Sequence, residues 1–124
     1  MRLEKATESL RAAESCFALG LLNSCASRCY YAMFQAAVVA LETAGFHRDT
    51  RSHAALQSTF AIELIQRRKR YPRQLAEYLS RALFWRNLAD YGDEEISQRR
   101  AKQLFEWAKA FVAKVTEVTG YETR

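Results

Sequence analysis

The chain has 124 residues, of which 49% are hydrophobic and 27% charged, with four glycines and one proline. That composition is globular rather than disordered, and the length provides for one core, so residues 1–124 are read as a single domain. A net charge of +5 and a pI near 9.3 admit a polyanionic partner without requiring one. No stretch approaches the roughly 18 apolar residues that span a membrane. The opening MRLEKATESLRAAES is charged and amphipathic rather than a secretory leader. The expectation is a cytoplasmic protein with no membrane contact, and its three cysteines fit reduced thiols.

Taken in chain order, Leu3, Ala6, Leu10, Ala13 and Phe17 recur at helical steps, which predicts a helix from about Leu3 to Leu19, stopped at Gly20. Asn23 or Ser24 is the candidate cap of a second helix running to about Ala44 and ending at Gly45. After Arg28 this helix is apolar nearly all round, so it is the central element. FHRDTRSH is a polar connection, and Ser52 or Thr50 could cap a third helix over about 53–66. RRKRYPR breaks the pattern, and Pro72 suits the first turn of a fourth helix that reaches about Asp90 and ends at Gly92. Ser97 is the candidate cap of a fifth helix ending near Thr119, with Ala101, Leu104, Phe105, Ala108, Phe111, Val112 and Val115 as its core stripe. No segment alternates with period two, so the chain reads as an all-α bundle of four or five helices.

The fourth helix holds the first candidate site. At about 100° per residue, Leu75, Tyr78, Leu79, Ala82 and Ala89 fall in one arc, with Arg86 near its centre. An arginine there keeps its charge and needs a carboxylate, carbonyls or an anionic ligand. Asp90, one turn on, is the nearest partner. The pair is either a tether inside the bundle or an arginine held ready for phosphate, oriented by Asp90. Phe84 and Leu88 lie on the opposite side, either packed against a neighbouring helix or forming a subunit interface, for which a symmetric dimer is the commonest form.

SRCYYAMFQAAVVALETAG at 27–45, RSHAALQSTF at 51–60 and RNLADYG at 86–92 together resemble the HEPN domain family (higher eukaryote and prokaryote nucleotide-binding), closest to its small stand-alone prokaryotic branch. The resemblance covers nearly the whole chain. The paired tyrosines and the R-x-x-A-D-Y-G ending are its most specific parts. It implies an up-and-down four-helix bundle with an additional helix, assembled as a homodimer, and a function in RNA cleavage or nucleotide binding. Many such proteins are metal-independent endoribonucleases and toxins of toxin–antitoxin modules, with a small nucleotidyltransferase as partner. No cofactor and no metal are implied.

The family's active motif is an arginine, often followed by a polar residue, and a histidine after four to six intervening residues. Arg86 and Asn87 match its start. The histidine does not match, because Tyr91, Gly92 and Asp93 occupy those positions. A tyrosine with a pKa near 10 is a poor base at neutral pH. By its position, Tyr91 is a candidate to donate a hydrogen bond to phosphate or to accept a nucleotidyl group. His53 replaces the missing base if the third helix packs beside the fourth, and otherwise makes an ordinary hydrogen bond near a helix start.

Arg67, Arg68, Lys69, Arg70 and Arg73 form the densest charge run, with Tyr71 inside it and Arg51 upstream. The run reads as a track for a phosphate backbone with Tyr71 stacking on a base, or as a solvated connection. His47, beside Arg48, reads as solvated. Arg99, Arg100 and Lys102 open the fifth helix, where the dipole disfavours cations and a bound anion would relieve them. Cys25 and Cys29 share a face but lack the further ligands of a zinc site, so they read as buried thiols.

The candidate catalytic set is therefore Arg86, Asn87, Asp90, Tyr91 and His53. Arg51, Arg67, Arg68, Lys69, Arg70 and Arg73 form the candidate nucleic-acid set. If the chain is an enzyme, the RNA 2′-hydroxyl attacks the adjacent phosphate, Arg86 stabilises the phosphorane, and His53 or Tyr91 handles protons. The alternatives are a non-catalytic binding protein or antitoxin partner of a nucleotidyltransferase, and a purely structural helical adaptor.

Overall fold

The computed structural model describes residues 3–46 and 52–120. Arg51, His47, Arg48 and Thr50 lie outside them. The described residues form α1 (Leu3–Ala18), α2 (Leu22–Thr43), α3 (His53–Thr59) with a π-helical continuation (Phe60–Arg67), α4 (Gln74–Tyr91) and α5 (Gln98–Thr119). There is no strand among them, and the architecture is the expected all-α bundle. None of these helices is long and apolar enough to cross a membrane.

α2 is the axis of the bundle. It packs against α1, α4, α5 and the π segment, and its buried face runs from Cys25 to Leu41. The α1 stripe holds as read: Leu3, Ala6 and Ala13 are buried, with Leu10 and Phe17 packed at its margin. Ser9 also lies on that face, hydrogen-bonded to the Gln35 amide of α2 at 2.9 Å, so the one buried polar side chain of α1 is satisfied. The α5 stripe buries Ala101, Leu104, Ala108, Phe111, Val112 and Val115, while Phe105 is half-buried.

Glycines end two helices as expected. At Gly20 (φ 75°), Leu21 N–H donates to Cys16 C=O and Gly20 N–H to Phe17 C=O. At Gly45 (φ 97°), Phe46 and Gly45 repeat this pattern on Leu41 and Glu42. Both are Schellman ends, which need the left-handed backbone that glycine reaches without cost. Ser52 caps α3 by accepting from Ala55 N–H at 3.2 Å, and Ser97 caps α5 by accepting from Arg100 N–H at 3.0 Å.

Some local expectations fail. Neither Asn23 nor Ser24 caps α2, whose cap position is Leu21. Asn23 instead accepts from Ile96 N–H at 2.9 Å, tying α2 to the segment before α5, so a distant backbone donor won over a local one. The third helix is not one α-helix over 53–66 but turns π-helical at Phe60. It leaves that state through Lys69, which takes φ 53°, with Arg70 N–H donating back to Leu64 C=O at 2.9 Å. Pro72 stands before α4 rather than inside it, in the turn where Leu75 N–H reaches its carbonyl at 3.1 Å.

Candidate functional site

α4 buries Leu75, Leu79 and Ala82, and this arc carries Arg86 against α2. The Arg86 side chain is only 15% exposed. Its Nη2 donates to the Tyr31 hydroxyl at 2.8 Å, and its Nη1 to Asn87 Oδ1 at 3.3 Å. The guanidinium carbon lies 5.2 Å from the Tyr31 ring centroid and 6.0 Å from that of Tyr30, within cation–π reach.

Asp90 supplies the expected countercharge, with Oδ2 3.0 Å from Arg86 Nε. That oxygen sits off the N–H direction, so Nε is paired in charge but lacks an aligned acceptor. Among the described residues it is the single buried side-chain N or O without a hydrogen bond. A buried polar atom without an aligned partner calls for an explanation, and a catalytic or ligand-holding role is one of them.

The third helix does pack beside the fourth, and it brings His53 to this cluster. His53 Nδ1 lies 2.5 Å from the Tyr30 hydroxyl, and its ring rests 4.8 Å from that of Phe34. Burial lowers its pKa, and the Arg86 charge lowers it further, so the imidazole is held neutral. Burial also pushes the Tyr30 phenol above its ordinary value, against a smaller opposing pull from Arg86. Tyr30 and Tyr31 complete this cluster, and a reading of charged side chains misses them. Their signal was two adjacent hydroxyls in an otherwise apolar helix, each of which needs a partner once buried.

Tyr91 is placed elsewhere. It is 77% exposed, on the outer side of α4, where it lines a shallow groove with Phe84, Asn87, Leu88 and Gly92. Phe84 is 59% exposed and Leu88 half-buried, so the outer stripe is only partly covered in the single chain. Gly92 closes α4 where a Cβ would come within 2.6 Å of the Leu88 carbonyl oxygen, so no larger residue fits without a shift.

The basic run lies at the other end of α4. Twelve residues at a rise of about 1.5 Å put it roughly 18 Å from Arg86. Its members are all exposed but not equivalent. Arg67 pairs with Glu63 at 3.6 Å. Arg68 donates to the Ala44 carbonyl at 3.1 Å and covers the Phe46 ring at 4.8 Å, which fastens the end of α2. Lys69, Arg70 and Arg73 remain as solvent-facing cations. Tyr71 corrects an expectation: it is 5% exposed and packed on Phe60, so it offers no face to a base, and burial raises its phenol to about 12. Of the cations at the start of α5, Arg100 also finds protein partners: it lies 4.2 Å over the Trp85 ring and bonds Gln103.

Cys25 and Cys29 are buried and face each other at 3.9 Å. The Cys25 contact and burial hold the Cys29 thiol well above its ordinary range, which makes it unreactive. No cluster of metal-ligating side chains occurs among the described residues.

The arrangement is a fixed cation flanked by hydroxyl and imidazole groups, suited to holding an oxyanion. The HEPN domain family matches residues 1–118. A UPF0332 protein of Archaeoglobus fulgidus is 32% identical over 115 residues, spanning 92% of this chain and 89% of that protein. The helical bundle and a match over almost its full length together establish that the chain belongs to the HEPN domain family, a family of helical nucleotide- and RNA-related proteins.

Proposed function

We propose that the protein binds RNA or a nucleotide through a phosphate held at Arg86, as a homodimer, within a toxin–antitoxin or related defence module. The observation that carries the binding is the guanidinium itself. It is clamped by Tyr31, Asn87 and Asp90, yet its buried Nε lacks an aligned acceptor. A pre-set arginine of this kind loses little freedom on meeting a phosphate. Lys69, Arg70 and Arg73 extend the contact for a strand long enough to reach them, and Arg51 joins them in this reading. The partly covered Phe84–Leu88–Tyr91 stripe favours a second copy, and the same stripe would serve a nucleotidyltransferase partner for which exposed Tyr91 is an accessible acceptor.

A second reading, metal-independent RNA cleavage, is favoured by His53, which contacts Tyr30 and lies near enough to Arg86 to feel its charge. It requires a lone pair on His53 directed at the 2′-hydroxyl. The test is cleavage of labelled total RNA without added metal by the wild type, Arg86→Ala and His53→Ala. Loss in Arg86→Ala with its Tm preserved establishes a ribonuclease. No cleavage by wild type freed of copurifying partners, with RNA or nucleotide still retained, leaves the binding protein. Failure to bind either ligand sinks the reading altogether.

A further inference from the structure

The Tyr30–His53 contact determines more than position. The Tyr30 hydroxyl is fully buried, and among the described residues its hydrogen-bond partner is His53 Nδ1. Were Nδ1 protonated and donating, the phenol proton would be stranded in the core, at the penalty of any unmade buried hydrogen bond. Donation from the Tyr30 hydroxyl to an Nδ1 lone pair is the arrangement that avoids this. The ring proton of neutral His53 then resides on Nε2. Tyr31 is arranged in a parallel way. Its oxygen accepts from Arg86, so its own proton is free to be donated, and no acceptor for it is present among the described residues.

We propose that Tyr30 is a positioning residue that locks His53 as the Nε2–H tautomer, so that this N–H, the Tyr31 hydroxyl and the Arg86 guanidinium form one donor array for a phosphate group. The proposal rests on the phosphate reading of Arg86 and sharpens it. In this state His53 directs a donor, not a lone pair, at the ligand. It stabilises phosphate charge and does not take the 2′-hydroxyl proton. The charged and titratable neighbours agree. Arg86 opposes a second proton on the ring, Asp90 is engaged with Arg86, and the Tyr30 phenol is held protonated by burial. The same receptor accepts a nucleotide phosphate or one phosphate of an RNA strand, since the array addresses phosphate oxygens alone.

The tautomer is directly readable. The chain holds two histidines, so in long-range ¹H–¹⁵N spectra of the full-length protein a His47→Gln variant assigns His53. At pH 7.5 the expected pattern is a protonated Nε2 and an unprotonated Nδ1. Tyr30→Phe, with folding checked by circular dichroism, should bring the two nitrogens toward averaged shifts. It should also weaken inorganic phosphate binding about threefold to tenfold, the loss expected of one hydrogen bond. Arg86→Ala should abolish the phosphate response while leaving the tautomer unchanged. Inorganic phosphate, AMP and a short RNA oligonucleotide, titrated separately, distinguish the ligand sources by which of them moves Nε2. An Nδ1–H tautomer in the wild type, with phosphate still bound, overturns the lock alone. Ligand binding with no response of His53 overturns the donor array alone, and no binding of any of the three ligands overturns the phosphate reading of Arg86 with it.

Discussion

Arg86 and the cations around Lys69 carry the same charge at opposite ends of α4, and they are built for different tasks. Arg86 is nearly buried and restrained through Tyr31, Asn87 and Asp90. Lys69, Arg70 and Arg73 stand in solvent, and their neighbour Arg68 is already engaged with the end of α2. A held guanidinium selects the geometry of one phosphate, whereas mobile surface cations respond to accumulated charge and are screened by salt. In the proposed reading, charge density along a sequence points to the weaker phosphate contact, and a lone arginine on an apolar face to the stronger.

The largest effect should come from Arg86. Arg86→Ala is expected to weaken phosphate or RNA binding roughly 10- to 100-fold, the value of a charge-assisted hydrogen bond. Arg86→Lys should restore little, because an ammonium cannot reproduce the fork. Isothermal titration checks both, and a drop in Tm with binding intact would break the comparison by making Arg86 a tether. Next, replacing Lys69, Arg70 and Arg73 together by alanine should leave inorganic phosphate affinity unchanged. For single-stranded RNA it should lower the salt slope by about 2, three phosphate contacts at about 0.7 each. An unchanged slope would remove the run from the interface.

A smaller effect concerns backbone alone. Lys69 occupies the left-handed region, which costs a non-glycine residue about 1 kcal/mol, so Lys69→Gly should raise stability by up to about that amount in urea unfolding. The smallest is a pH slope. The folded-state pKa of His53 is depressed by burial and then by Arg86. Its contribution is therefore intact above the ordinary value of 6.5 and is lost as pH falls from there through the folded pKa. His53→Gln should flatten the fall in Tm on going from pH 7 to 5, and an equal fall in both proteins would show that His53 is not held neutral.

The features legible in the sequence are those that local physics decides. The α1 and α5 stripes, the glycine ends at Gly20 and Gly45, the serine caps and the Arg86–Asp90 pair all follow from spacings of a few residues. Reading failed where a distant partner intervened. Asn23 left its helix start for Ile96, 73 positions away. Tyr31 meets Arg86 across 55 positions, and nothing beside either residue announces the other. Tyr71 looked like an aromatic set among cations, but Phe60 had already claimed its face. The approach of His53 to Arg86 was legible only as a condition, that the third helix lie beside the fourth.

The π-helical stretch Phe60–Arg67 bears on that condition. Its i→i+5 bonds make each turn wider than an α turn, so it acts as a phase shifter in the screw of the third helix. Upstream of it the helix sets its angular origin by Ser52 and His53; downstream it must still turn Leu64 inward and deliver the chain to Pro72. The two ends can thus be tuned separately.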